Sequence, residues 1–150
     1  MFKVSKILCP VDFSEASNEA LKAANDLAVH FAAELLIVHV VQPVPTVSTP
    51  IQASTFNVVE YQKHLMDEQT KAMVKVFKEH VSSELNTRQV LLEGQPADEI
   101  LHYADNKNVD LIVMATHGGS VLGHLLFGSV TDKVVRQSTH PVLTIRITEK

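Results

Sequence analysis

Leu35 to Val41 reads LLIVHVV, an apolar run interrupted only by His39. It is too short to cross a bilayer. Its Ile and Val content favours a strand over a helix. A strand apolar on both sides must be covered on both faces, as happens in a parallel sheet between helical layers.

The flanking segments fit that demand. Lys3 to Cys9 carries Val4, Ile7 and Leu8 and predicts a first strand, stopped by Pro10 and Asp12. Ser14 is placed to cap a helix over 14–32, with Glu15 in its first turn. Ala20, Leu21, Ala24, Leu27, Ala28 and Phe31 recur there at helical spacing. Gln42 to Asn57 carries Pro43, Pro45 and Pro50, which excludes helix and central strand. This long connection is either a lid or a passive link. Helical periodicity resumes over 58–83, with Leu65, Ala72, Met73, Val76 and Phe77 on one side, a face that reads as core. A short strand over Gln89–Leu92 ends at Gly94. Pro96 then opens a helix whose inner face is Ile100, Leu101 and Ala104. Asn108–Asp110 form a turn and Leu111–Met114 a fourth strand. The segment Leu125–Ser138 predicts a last helix, interrupted or started near Gly128, and Pro141–Ile147 a closing strand.

Alternation of this kind predicts one α/β domain over residues 1–150: an open, doubly wound, Rossmann-like parallel sheet of five strands with helices on both faces. Right-handed crossovers and two covered faces require strand order 3-2-1-4-5, reversing between the first and fourth strands. Ligands bind beyond the carboxyl ends of strands at such a reversal. Cys9–Asp12 and Met114–Gly119, far apart in sequence, should meet there. Gly118, Gly119, Gly123, Gly128 and Ser129 could present bare amides and a hydroxyl to phosphate. Asp12 could bond ribose hydroxyls, and Val11, Val40 and Met114 could sandwich a base. The same glycines also fit plain turns, and Asp12 and Ser14 fit simple helix capping.

Several chemistries are excluded or disfavoured. There is no GxxxxGK[ST] and no GxGxxG after the first strand. No Lys or Arg lies between Asp110 and Asp132, where a phosphoryl-transfer enzyme would need cations. The net charge is −4 with no basic stripe, so neither nucleic acid nor a membrane is an expected partner. Eight histidines stand at 30, 39, 64, 80, 102, 117, 124 and 140 without ligand spacing, so no protein metal site is expected. His39 reads as a hydrogen-bonded core residue. Ser129, His117 and Asp12 could make a hydrolase triad on paper, but no GxSxG accompanies them. The lone Cys9 reads as core and suits a reducing, cytoplasmic setting without a secretory signal.

Four segments carry a resemblance to a known family: ILCPVDFSEASNEAL, LLIVHVV, LLEGQPADEILHYADNKNVDLIVMATHG and GSVTDKVVRQSTHPVL. Together they resemble the universal stress proteins over nearly the whole chain. The resemblance implies an adenine nucleotide alpha hydrolase-like fold, homodimers paired through the last strand, and a cytoplasmic role in stress response. Some members bind ATP through G-x2-G-x9-G-[ST]. The matching positions here are Ala115, Gly118, Gly128 and Ser129, with alanine in place of the first glycine. The resemblance places Pro10, Val11 and Val40 near the adenine, Asp12 on the ribose and Met114 on the pocket wall. It assigns Gly118, Gly128, Ser129, Val130 and Thr131 to the phosphates, with ATP accompanied by Mg2+ or Mn2+. The implied action is ligand-dependent regulation rather than rapid catalysis; His117 and His124 are the bases the loop offers for slow ATP hydrolysis. Ala115 and the missing cations suggest an alternative, a nucleotide-free dimeric scaffold acting through protein partners.

Overall fold

A computed structural model describes residues 3–44, 57–117 and 127–147. The elements run β1 (Lys6–Pro10), α1 (Glu15–Phe31), β2 (Glu34–Val41), α2 (Val58–His80), β3 (Thr87–Glu93), α3 (Pro96–Lys107), β4 (Leu111–Ala115), α4 (Ser129–Gln137) and β5 (Val142–Ile145). All strand pairs are parallel, in the order β3-β2-β1-β4-β5. The expected fold and strand order are both observed.

The sheet divides two apolar clusters, as its alternating side chains require. Ile7, Cys9, Leu35 and Ile37 face Leu21, Ala24 and Ala28 of α1 and Met73 and Val76 of α2. Leu8, Leu36, Val38, Ile112 and Met114 face Ile100 and Tyr103 of α3 and Val134 of α4. The α1 residues Ala20, Ala24 and Ala28 are fully buried, and their small side chains bring the helix close to the sheet.

Several boundaries move for identifiable reasons. β1 begins at Lys6, because the backbone N–H groups of Ser5 and Lys6 donate to Asp110 Oδ2 at 2.7 and 2.9 Å. α2 ends at His80 rather than 83; Val81 is extended and the Ser82 N–H turns to Asn25 Oδ1 on α1, at 2.8 Å. β3 is longer than its apolar residues suggest, since Arg88 and Gln89 also pair, with Leu36 and Ile37. As an edge strand it can pair through exposed polar residues. β5 is confined to Val142–Ile145, where β4 supplies partners through Ala115. The greater part of the proline-bearing connection lies outside the described residues.

Ile37 is fully buried in β2, which has a paired strand on each side. Ile37→Ala is expected to cost about 2–5 kcal/mol in urea unfolding. Val59→Ala, at a position 79% exposed, should stay within about 0.5 kcal/mol of wild type.

Candidate functional site

β1 and β4 pair only at Ile7 with Leu111 and Leu8 with Ile112. β1 continues to Pro10 and β4 to Ala115, so the two central strands part toward their carboxyl ends. A cavity of roughly 510 Å3 opens there. Pro10, Val11, Asp12, Val40, Met114, Ala115, Gly128, Ser129, Val130 and Thr131 all line it. Gly118, like Gly119, Gly123 and His124, lies outside the described residues.

The floor is apolar and closed: Val11, Met114 and Ala115 are buried. Leu65 and Gln69 of α2, with Pro96 and Ile100 of α3, add walls that no local sequence pattern announces. They come from helices that pack against β2, on opposite faces of the sheet beside the crevice. His39 also lines it, with its ring Nδ1 hydrogen-bonded to the Val11 carbonyl.

Ala115 lies within β4, paired with Ile145, and is not among the described residues with positive φ. Its backbone is therefore ordinary strand, which alanine adopts without strain. Its carbonyl accepts the Thr131 hydroxyl at 2.9 Å, tying α4 to β4. What Thr131 presents to the cavity is consequently its backbone rather than its hydroxyl proton. The Gly128 N–H donates to Thr116 O at 2.8 Å, and Gly128 is the N-cap of α4 without a side-chain cap bond. The first-turn amides that follow have no intrahelical acceptor, so the positive end of α4 faces the crevice.

On the other wall, Asp12 Oδ1 accepts the Ser14 N–H at 3.0 Å and the Ser14 hydroxyl. Ser14 caps α1 as expected, accepting the Ser17 N–H at 3.2 Å. The Ser17 hydroxyl in turn accepts the Asp12 N–H at 3.3 Å. Asp12, Ser129 and His117 all line the cavity. His117 Nδ1 shares a hydrogen bond with Thr116 Oγ1 at 2.9 Å, while Asp12 Oδ1 serves Ser14. Among the described residues no group of three or more His, Cys, Asp or Glu could hold a metal ion. No described helix is long and apolar enough to cross a membrane.

The chain that forms this five-stranded parallel sheet matches known proteins over nearly its whole length. The universal stress protein family model covers residues 3–146. The chain belongs to the universal stress protein family. Universal stress protein MJ0531 of Methanocaldococcus jannaschii is 37% identical over 145 residues, which span 97% of this chain and 84% of the relative. Universal stress protein MJ0577 of the same organism is 30% identical, over 94% of each chain. The solved structure of MJ0577 superposes with a TM-score of 0.81, covering 100% of this chain and 99% of its own. A universal stress protein solved in complex with cAMP shares the fold, at 21% identity and a TM-score of 0.67, covering 96% of this chain and 98% of its own.

Cys9, beside the site on β1, is fully buried, and burial pushes its thiol far above the ordinary range. A thiol of that kind is inert. Ellman's reagent should therefore leave the folded protein unmodified at pH 8 and titrate Cys9 once denaturant is added.

Proposed function

We propose that this chain binds ATP or a related adenine nucleotide in the crevice between β1 and β4. It then acts as a ligand-regulated homodimer in the stress response. The observation that carries this reading is convergence. Every described residue expected to touch nucleotide lines one cavity, although β1 and α4 are more than a hundred residues apart. A relative with this fold has been solved with cAMP.

The residues divide the work by their chemistry. Pro10, Val40 and Met114 offer the flat apolar surfaces a base needs, and Asp12 accepts hydrogen bonds from ribose hydroxyls. The amides of Ser129, Val130 and Thr131, with the exposed Ser129 hydroxyl, receive phosphate oxygens. The helix end supplies roughly half a positive charge, too little for a triphosphate. With no Lys or Arg from Asp110 to Asp132, a divalent ion arriving with the phosphates completes the charge balance. A site without a cation aimed at the transferring group suits retention of the nucleotide better than fast turnover.

The sheet's edges support the homodimer reading. β3 carries charged Arg88 and Glu93, which discourage pairing, whereas β5 exposes Leu143. Pairing of β5 with a second copy covers that residue and its open backbone.

Two measurements check these statements. Calorimetric titration with ATP and Mg2+ should show binding that Asp12→Asn weakens about tenfold, the worth of one or two hydrogen bonds. Ala115→Gly should leave affinity within about threefold and lower stability by about 0.5–1 kcal/mol, because glycine only adds backbone entropy in a strand. No heat from the folded wild type would overturn the nucleotide reading. In sedimentation velocity the wild type should run as a dimer and Leu143→Asp should shift it to monomer, through an unpaired charge at the covered edge.

A further inference from the structure

The loop that presents Asp12 is held in a costly shape. Phe13 adopts φ +65°, the left-handed region that a bulky side chain rarely enters. Such conformations persist only where the surroundings over-determine them. One side chain supplies contacts on both sides of Asp12. His39 Nδ1 donates to the carbonyl of Val11, the preceding residue, at 2.7 Å. The His39 ring also lies against the ring of Phe13, the following residue, with centroids 4.3 Å apart and planes tilted by 36°. A carbonyl only accepts, so the proton sits on Nδ1 and the tautomer is set. Val11 is buried, and its N–H is bonded to Val38 O at 2.8 Å. β2 therefore clamps both polar backbone atoms of the residue before Asp12.

We infer that His39 is a positioning residue for the ribose-binding carboxylate of Asp12, acting through Val11 and Phe13. The inference rests on the nucleotide site proposed above. Without the imidazole, the buried Val11 carbonyl loses its donor and Phe13 loses the ring that opposes its backbone strain. The loop is then free to relax toward ordinary φ, and that relaxation turns Asp12 away from the crevice wall. The bonds among Asp12, Ser14 and Ser17 tie the loop to the start of α1, whereas the His39 contacts tie it to β2.

The test compares dissociation constants for ATP and 2′,3′-dideoxy-ATP, each with Mg2+, by calorimetry. Wild type should prefer ATP about tenfold, the share of affinity carried by hydrogen bonds to the ribose hydroxyls. Asp12→Ala, which removes the acceptor, should erase the preference. His39→Ala should erase it to the same extent, and the double variant should show no further loss. Phe13→Tyr, which keeps the ring against His39, should retain the wild-type preference. A merely structural role for His39 would weaken both ligands alike and leave their ratio near tenfold; that result overturns the inference. If His39→Ala does not fold by circular dichroism, His39→Gln and Phe13→Leu carry the same comparison. Each should lose at least half of the preference on a logarithmic scale, and an unchanged ratio in both overturns the inference. Wild type that binds ATP and its dideoxy analogue equally refutes the Asp12 contact, and with it His39's role, while leaving nucleotide binding standing. Wild type that binds neither overturns the nucleotide site as well.

Discussion

The pairing of β1 with β4 is short, and everything functional follows from that. Parallel strands hold together by slanted hydrogen bonds that need matched length and direction. Here the match lasts only from Ile7 and Leu8 to Leu111 and Ile112. Helices leave β1 and β4 for opposite faces, so no crossover fills the space above their carboxyl ends. The crevice is thus the place where a doubly wound sheet cannot cover itself. Its walls are whatever the chain carries just past those two strands.

Backbone accounting explains why the loops there keep their shape. A buried peptide group must find a partner. After β1, Val11 donates to Val38 and accepts from His39, and Asp12 donates to Ser17. After β4, Thr116 donates to Ile145 and accepts from Gly128. Each strand extension is tied to a neighbour on its far side, not across the crevice. The gap between them remains while both edges are held. The Thr131 hydroxyl on Ala115 O adds a side-chain tie on the α4 side, and the Phe13 ring on His39 adds one on the α1 side.

Charge sets the character of the site more than shape does. The described residues that line it include one carboxylate and two imidazoles, with no ammonium or guanidinium among them. Under the proposed function, anion recognition would fall on oriented amides and a helix end, which attract without being a fixed full charge. In the proposed nucleotide reading, such a site would favour ligands that present oxygens at the right spacing, and phosphates paired with a metal ion over a bare polyanion.

The alternation of elements, the capping by Ser14 and the burial of LLIVHVV were decided within the chain's local pattern. Each depends on a residue and its near neighbours: an N-cap hydroxyl, a run of β-branched residues, a 3.6-residue period. The reversal of strand order also followed, because handed crossovers and two apolar faces leave little choice. Tertiary structure alone decided three other things. It set how far β1 and β4 stay paired, which depends on contacts a hundred residues apart. It brought Leu65, Gln69 and Ile100 to the cavity, by packing α2 and α3 against β2. It also put His39 beside Val11 and Phe13, from a different strand. Local sequence carries no record of these distances, because they arise from how the layers settle against each other to fill space.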